Sequence, residues 1–273
     1  MSGSYETRIL RVVGHIHDHC DRDLSLDALA DIAAMSRFHW HRVYHAMTGE
    51  TCAQTVRRVR MHRAACRLVQ SQDTVDCIAT QCGYDNAQSF SRTFRGLYGL
   101  TPAAYRDQGA LPPPSTHPGK GDHAMHPIEI LEQPARRLAA LPHKGAYIKI
   151  GREFESLHPL LSSQDLMKHV RGMVGVYYDD PNSVAEEDLR SHAGAVLEND
   201  AAIAAPLEEV LLPSGRYAVM HHKGPYSGLK AAYDYLYGSW LPQSGEEAGD
   251  HPPIEVYLNA PQNTPPDELL TDV

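Results

Sequence analysis

The sequence predicts a multidomain chain: an all-α N-terminal domain, then an α+β domain built from two similar halves. Three observations predict it. Apolar residues recur at helical spacing up to Pro102, the first proline of the chain. Short apolar runs alternate with helical stretches after residue 125. Between them residues 108–124 read QGALPPPSTHPGKGDHA, a composition that makes neither a helix nor a central strand. The expected boundaries are 5–107, a linker over 108–124 that is stiff at Pro112 to Pro114, and 125–273. A length of 273 residues fits two domains at about 100–200 residues each.

In the first domain the apolar stripes are Ile9, Val12, Val13 and Ile16; Leu26, Leu29, Ala30 and Ala33; and Val56, Val59, Ala64 and Leu68. Ser25 or Asp27 caps one helix start, and Asp73 or Thr74 another. In the second domain strands are expected at Ile128 to Leu131, Arg137 to Leu141, Gly172 to Tyr178, Ala193 to Leu197, Arg216 to Met220 and Ile254 to Leu258. Helices are expected over Tyr147 to Leu161 and Tyr226 to Leu241.

The net charge of −9 argues against nucleic acid until the chain is divided. Residues 1–107 hold 13 Arg, no Lys and 11 acids, a surplus of two positive charges, whereas residues 108–273 hold 12 bases and 23 acids. Arginine is the base suited to forked contacts with phosphate and guanine. The beginning MSGSYETRIL lacks a signal-peptide pattern, and no apolar run reaches about 18 residues. A cytoplasmic location and no membrane partner are therefore expected. The cysteines Cys20, Cys52, Cys66, Cys77 and Cys82 are odd in number and form no CxxC, so they read as reduced core or surface thiols. His15 and His19 lie one helical turn apart, but no carboxylate or cysteine constellation completes a metal site.

The first domain repeats itself. Arg42-Val43-Tyr44 matches Arg92-Thr93-Phe94, Gly49 matches Gly99 and Thr51 matches Thr101, each 50 residues apart. Leu29-Ala30 matches Ile78-Ala79 at 49, so one residue of difference falls in the turn between. Each unit reads as helix-turn-helix: a helix with a small residue (Ala30, Ala79), a turn (Ala34-Met35-Ser36, Gly83-Tyr84-Asp85), then a helix with one apolar stripe. The stripes are Trp40, Val43, Tyr44 and Met47, and Phe90, Phe94, Leu97 and Tyr98. The opposite faces carry Arg37, His41 and Arg42, and Asn86, Gln88, Ser91 and Arg92, types that read base edges in the major groove.

The strings SLDALADIAAMSRFHWHRVYHAMTGE, RMHRAACRL and DCIATQCGYDNAQSFSRTFRGLYGLTPAAYR carry a resemblance to the DNA-binding domain of the AraC/XylS family of transcription regulators. It implies seven helices, a connecting helix over Val56 to Gln70, and two recognition helices entering successive major-groove segments of double-stranded DNA. RNA polymerase is a further expected partner. Two departures stand out: Trp40 replaces a usual aliphatic residue, and Ala87 replaces a frequent polar one, which loosens readout by the second unit. The expected DNA contacts are Arg37, Phe38, His41, Arg42, Asn86, Gln88, Ser91 and Arg92, with Arg42 and Arg92 also readable as structural salt-bridge arginines.

The second domain also repeats. His143-Lys144-Gly145-Ala146-Tyr147 matches His222-Lys223-Gly224-Pro225-Tyr226 after 79 residues, Gly175-Val176-Tyr177 matches Glu255-Val256-Tyr257 after 80, and Pro181 matches Pro261. Two such halves pair by pseudo-twofold symmetry around a groove. Symmetry breaks at Glu255, which strand alternation places on one face with Tyr257. A buried carboxylate is costly unless paired, so a cationic ligand is one reason to keep it; an exposed strand glutamate is the other reading. Tyr147, Tyr177, Tyr226 and Trp240 offer aromatic faces to a cation, or else serve as core.

Residues 125–273 resemble the GyrI-like effector-binding domain. The resemblance implies a small organic ligand, often cationic and aromatic, in the central groove, and a ligand-binding role for Glu255. In that family the pattern continues as a last strand where this sequence stops, in LLTDV; either the sequence is cut short or the domain lacks a full edge strand. The expected function is a ligand-responsive transcription regulator without cofactor, metal or catalytic residues, and not an enzyme. A hydrolase using Glu255 with Tyr226 or Tyr147 as base and proton donor is the alternative. A protein-interaction module is the third reading, marked by a groove filled with tyrosines. Oligomeric state stays open, because one chain already spans two groove segments.

Overall fold

The computed structural model describes residues 4–22, 24–109, 127–198 and 200–273. It divides into two compact units, Met1–Lys120 and Gly121–Val273. The expected linker lies outside the described residues except for Gln108 and Gly109, which end the last helix of the first unit.

The first unit has seven helices among the described residues: α1 (Tyr5–His19), α2 (Leu26–Ala33), α3 (Trp40–Thr48), α4 (Cys52–Gln70), α5 (Val75–Gln81), α6 (Ala87–Tyr98) and α7 (Pro102–Gln108). Ser25 and Thr74 are the caps of α2 and α5; their hydroxyls accept from the amides of Ala28 and Cys77. The repeated Gly–Thr pairs are helix punctuation. Gly49 and Gly99 end α3 and α6 in the left-handed conformation, at φ 77° and 74°. Thr51 and Thr101 then cap α4 and α7, and Thr51 with Gln54 closes a reciprocal capping box.

α4 runs through both helix-turn-helix units. Its buried Met61, Ala64, Ala65 and Leu68 pack with Ile78, Phe90, Phe94 and Tyr105 of the second unit. The Tyr44 hydroxyl of the first unit hydrogen-bonds Thr55 of α4 at 2.7 Å. Trp40 is fully buried, so the indole occupies the core as an aliphatic residue would. Leu97 departs from the expected stripe: it is 52% exposed, because Tyr98 turns inward instead and packs on Phe94 and Tyr105.

Among the described residues the second unit holds an eight-stranded sheet with strands β1 (Ile128–Gln133), β2 (Arg136–Lys144), β3 (Val170–Tyr177), β4 (Arg190–Leu197), β5 (Glu208–Leu212), β6 (Gly215–Lys223), β7 (Ile254–Tyr257) and β8 (Leu270–Asp272). Their order is β1-β6-β8-β7-β3-β4-β2-β5, with every pairing antiparallel. The halves meet at β3–β7, and the leading strand of each half, β1 or β5, pairs with the other half. Only two residues join β1 to β2 and β5 to β6, a span of at most about 11 Å. The two edges of the sheet are thereby drawn toward one another and the sheet curls. β5 and β8 were not among the expected strands. The segment LLTDV contains β8, an interior strand between β6 and β7, and Val273 and Met220 exchange both backbone hydrogen bonds.

A 3₁₀ turn (Tyr147–Lys149) leads into α8 (Gly151–Ser163). Its counterpart (Tyr226–Gly228) leads into α9 (Leu229–Tyr235), a π-helical turn (Leu236–Trp240) and α10 (Leu241–Ser244). Leu157 and Leu161 of the first half are matched by Leu236 and Leu241, all buried. The π-turn holds the extra residue, which accounts for the change in repeat length from 79 to 80. Gly145 and Gly224, at φ 124° and 136°, donate to the carbonyls of Leu189 and Leu269 and end β2 and β6 alike.

Truncating Phe94 to Ala removes the ring at the centre of the second unit's aromatic cluster. The expected loss is about 3–5 kcal/mol, and Thr51→Ala is expected to lose about 1 kcal/mol. Urea denaturation followed by circular dichroism checks both, and a Phe94 variant as stable as the parent would contradict this packing.

Candidate functional site

The two helix-turn-helix units present different surfaces. In the first, regular helix begins only at Trp40, so Arg37 and Phe38 lie in the preceding turn rather than on the helix. Ser36 holds that turn by accepting from the Phe38 amide, and the Arg37 guanidinium stacks over the Phe38 ring at 4.8 Å. His41 is half-buried against Trp40. Arg42 is 8% exposed and donates to the Phe38 carbonyl, so its position fits the structural reading of that arginine. In the second unit Asn86 is the N-cap of α6: its side-chain oxygen accepts from the Ser89 amide at 2.8 Å. Gln88 and Arg92 are exposed on α6, and Ser91 is half-buried beside them.

Many of the other arginines grip protein oxygens. Arg8 and Arg11 donate to the Ala34 and Ile32 carbonyls, Arg63 to His17, and Arg106 to Leu68 and Asp73. Arg58 forks onto Glu50, and Arg67 holds Gln81. The carbonyls at helix ends lack intrahelical donors, and a guanidinium supplies several in a fixed fork. Arginine richness therefore serves the fold here as well as any nucleic acid.

In the second unit Gly175 and Glu255 are directly opposed across β3 and β7. This pair sits on the pseudo-twofold axis: Met173 opposes Tyr257, and the Tyr177 amide donates to the Pro253 carbonyl. Two carboxylates here would face each other a few ångström apart, so the axis has room for one. Glu255 is 6% exposed, which excludes the exposed-strand reading. Its face of the sheet carries the core under α8, with Tyr177, Ala139, Ala193, Leu157 and Leu161. The opposite face buries Leu138, Val174 and Val176.

Tyrosines surround the carboxylate. Tyr257 donates to Glu255 Oε2 at 2.8 Å, and Tyr233 of α9 donates to Oε1 at 3.2 Å. The Tyr177 and Tyr257 hydroxyls lie 2.6 Å apart. Tyr177 reaches across by leaning over Gly175, where an added Cβ would stand 2.8 Å from its ring. Phe154 of α8 and Tyr226 pack edge-on against Tyr257, at 5.2 and 5.6 Å. Burial, then the Glu255 charge, pushes the Tyr177 and Tyr257 phenols well above their ordinary value, so both remain protonated donors.

The expected ligand residues divide accordingly. Glu255, Tyr257, Tyr177 and Tyr226 come together. Tyr147 touches the cluster through its ring, 4.8 Å from Tyr177, but its hydroxyl donates to the carbonyls of Asp179 and Arg190. Its hydroxyl is thus engaged away from Glu255, to which Tyr257 and Tyr233 donate. Trp240 sits half-buried in the π-turn, outside the hydrogen-bonded and ring contacts just described. Tyr233 and Phe154 were missed, although the 79-residue offset pairs them with each other and marks an aromatic at the same helix position of both halves.

Two outcomes are expected. Gly175→Ala forces the Tyr177 ring away and breaks its hydroxyl contact with Tyr257, at a cost of about 1–3 kcal/mol; denaturation together with the ultraviolet tyrosine spectrum tests it. A phenol pKa raised on folding stabilises fully below the unfolded value of about 10, and that stability is lost as pH climbs through the folded value. Thermal stability should therefore fall above about pH 10, and less steeply in a Tyr177→Phe/Tyr257→Phe double variant; equal slopes would argue against the buried phenol cluster.

Comparison with known proteins agrees with this architecture. The GyrI-like small molecule binding domain family matches residues 126–273, more than half of the chain, and a helix-turn-helix domain family matches residues 29–108. The regulatory protein SoxS of Escherichia coli strain K12 is 30% identical over 103 residues, which cover 38% of this chain and 96% of SoxS. The right origin-binding protein of the same strain is 23% identical over 258 residues, covering 90% of this chain and 88% of that protein. YbfP of Bacillus subtilis strain 168, an uncharacterized HTH-type transcriptional regulator, is 28% identical over 102 residues; these cover 37% of this chain but 35% of YbfP. The chain belongs to the GyrI-like family of small molecule binding domains, here preceded by a helix-turn-helix domain of AraC type.

Proposed function

We propose that this chain is a ligand-responsive transcription regulator that binds double-stranded DNA through its helix-turn-helix units and senses a small lipophilic cation at Glu255. One observation carries the ligand class: a single buried carboxylate on the pseudo-twofold axis, ringed by Tyr177, Tyr226, Tyr233, Tyr257 and Phe154. A cation entering this ring exchanges phenol hydrogen bonds for a charge pair in a poorly solvated site and gains contact with aromatic faces. The tyrosine hydroxyls converge on the carboxylate, so binding requires them to move aside. The regulator names of the relatives favour sensing over turnover and over a pure interaction module.

DNA contact is assigned to Arg37, Phe38 and His41 in the first unit and to Gln88, Ser91 and Arg92 in the second; Asn86 contributes its amide while capping α6. RNA polymerase is the natural third partner of such a regulator, and the cytoplasm its place. Among the described residues no helix is long and apolar enough to cross a membrane.

Calorimetry of the full chain with tetraphenylphosphonium tests the ligand class. Micromolar binding by the parent, weakened at least tenfold in Glu255→Gln, is the expected result. Equal affinity in both would remove Glu255 from the site. Arg92→Ala should weaken binding of a selected operator at least fivefold in fluorescence anisotropy, without altering tetraphenylphosphonium binding.

A further inference from the structure

The two helix-turn-helix units touch at a second place besides the shared core of α4. Arg60, half-buried on α4, reaches to the end of α1. Its Nε donates to the Cys20 carbonyl at 2.5 Å and its Nη2 to the Arg22 carbonyl at 2.8 Å. These carbonyls follow the last turn of α1, whose C-cap is Cys20, where helical donors have run out and a positive charge is favoured by the helix dipole. The other side of the same guanidinium faces the second unit. It lies 5.8 Å from the Tyr84 ring centroid, and Tyr84 packs edge-on against the buried Phe90 of α6 at 5.6 Å.

Gly83 makes the approach possible. It is left-handed at φ 75°, and an added Cβ would stand 2.9 Å from the Arg60 guanidinium and 3.0 Å from the Asp21 carbonyl oxygen. The matching residue of the first unit is Ala34, also left-handed, at φ 51°. There the chain tolerates a Cβ; at the α1–α4 junction it has no room for one.

We infer that Arg60 is a positioning residue that fixes the second helix-turn-helix unit relative to the first, and so sets the spacing between the two DNA segments one chain reads. The path is continuous: the end of α1, Arg60, the Gly83-Tyr84 turn, Phe90 and α6. Adding one base pair between two groove segments shifts them by about 3.4 Å and rotates them by about 35°. A clamped pair of units tolerates this poorly, and an unclamped pair better. A lysine cannot replace Arg60, because one ammonium neither spans both carbonyls in a planar fork nor stacks on Tyr84 as a guanidinium does. The inference rests on the DNA-binding reading for its functional consequence, whereas the clamp itself is tested without DNA.

The experiment compares the full-length parent, Arg60→Ala, Arg60→Lys and Tyr84→Leu. Hydrogen exchange comes first. In Arg60→Ala, amides at 19–22 and at 83–86 should exchange at least tenfold faster together, while those of α8 and β3 stay unchanged. Each protein is then measured by anisotropy against an operator selected from random DNA and against the same operator with one base pair added or removed between its two segments. The parent should lose at least tenfold on altered spacing. Arg60→Ala and Arg60→Lys should lose threefold or less, whatever their absolute affinity. Tyr84→Leu keeps the carbonyl bonds and serves if Arg60→Ala unfolds; it should relax spacing while leaving 19–22 protected. An unchanged spacing penalty in the variants, or faster exchange at 19–22 alone, overturns the inference. A parent that selects no DNA defeats the DNA-binding reading, and the exchange result still decides the clamp.

Discussion

The second unit is organised by one cross-strand pair. Gly175 and Glu255 face each other where the two halves of the sheet are related by pseudo-twofold symmetry. At that point a symmetric sequence would place either two carboxylates or none. The asymmetric solution gives one buried carboxylate, and the glycine opposite it leaves the volume into which Tyr177 leans. The rest of the cluster follows from duplication: each half contributes a tyrosine two residues along its central strand, and an aromatic from its helix. Phe154 supplies packing from one helix, and Tyr233 a hydrogen bond from the other.

The sheet braces this arrangement from both halves. Because β1 and β5 each pair with the opposite half, neither half is complete alone. The β3–β7 seam and the two exchanged edge strands hold the axis from three places. The π-turn in the second helix absorbs one extra residue without shifting Leu236 and Leu241 from the core.

In the first unit arginine plays the organising part. The guanidinium groups of Arg8, Arg11, Arg60, Arg63 and Arg106 end on backbone carbonyls, most of them near helix C-termini. The seven helices among the described residues produce many such ends, and a long cation with several donors can satisfy carbonyls from two helices at once. Arginines of a composition suited to nucleic acid thus serve also as internal fasteners, and Arg42, which donates to the Phe38 carbonyl, is one of them.

The sequence by itself determined the division into an all-α and an α+β unit, the two internal repeats, helix starts beside Ser25 and Thr74, and the singular position of Glu255. Periodicity and capping are written in residues a few places apart, and repetition shows when the chain is aligned with itself at a fixed offset. Tertiary structure alone decided which tyrosine hydroxyls reach Glu255, because Tyr233 and Tyr257 lie 24 residues apart and meet only when α9 packs on the sheet. It also decided β8, a strand of three residues too short to show alternation and formed because β6 and β7 leave a place between them. The same holds for Leu97 and Arg42. Their exposure or burial depends on which face of a helix meets its neighbour, and a stripe read along one helix cannot show where the neighbouring helix ends.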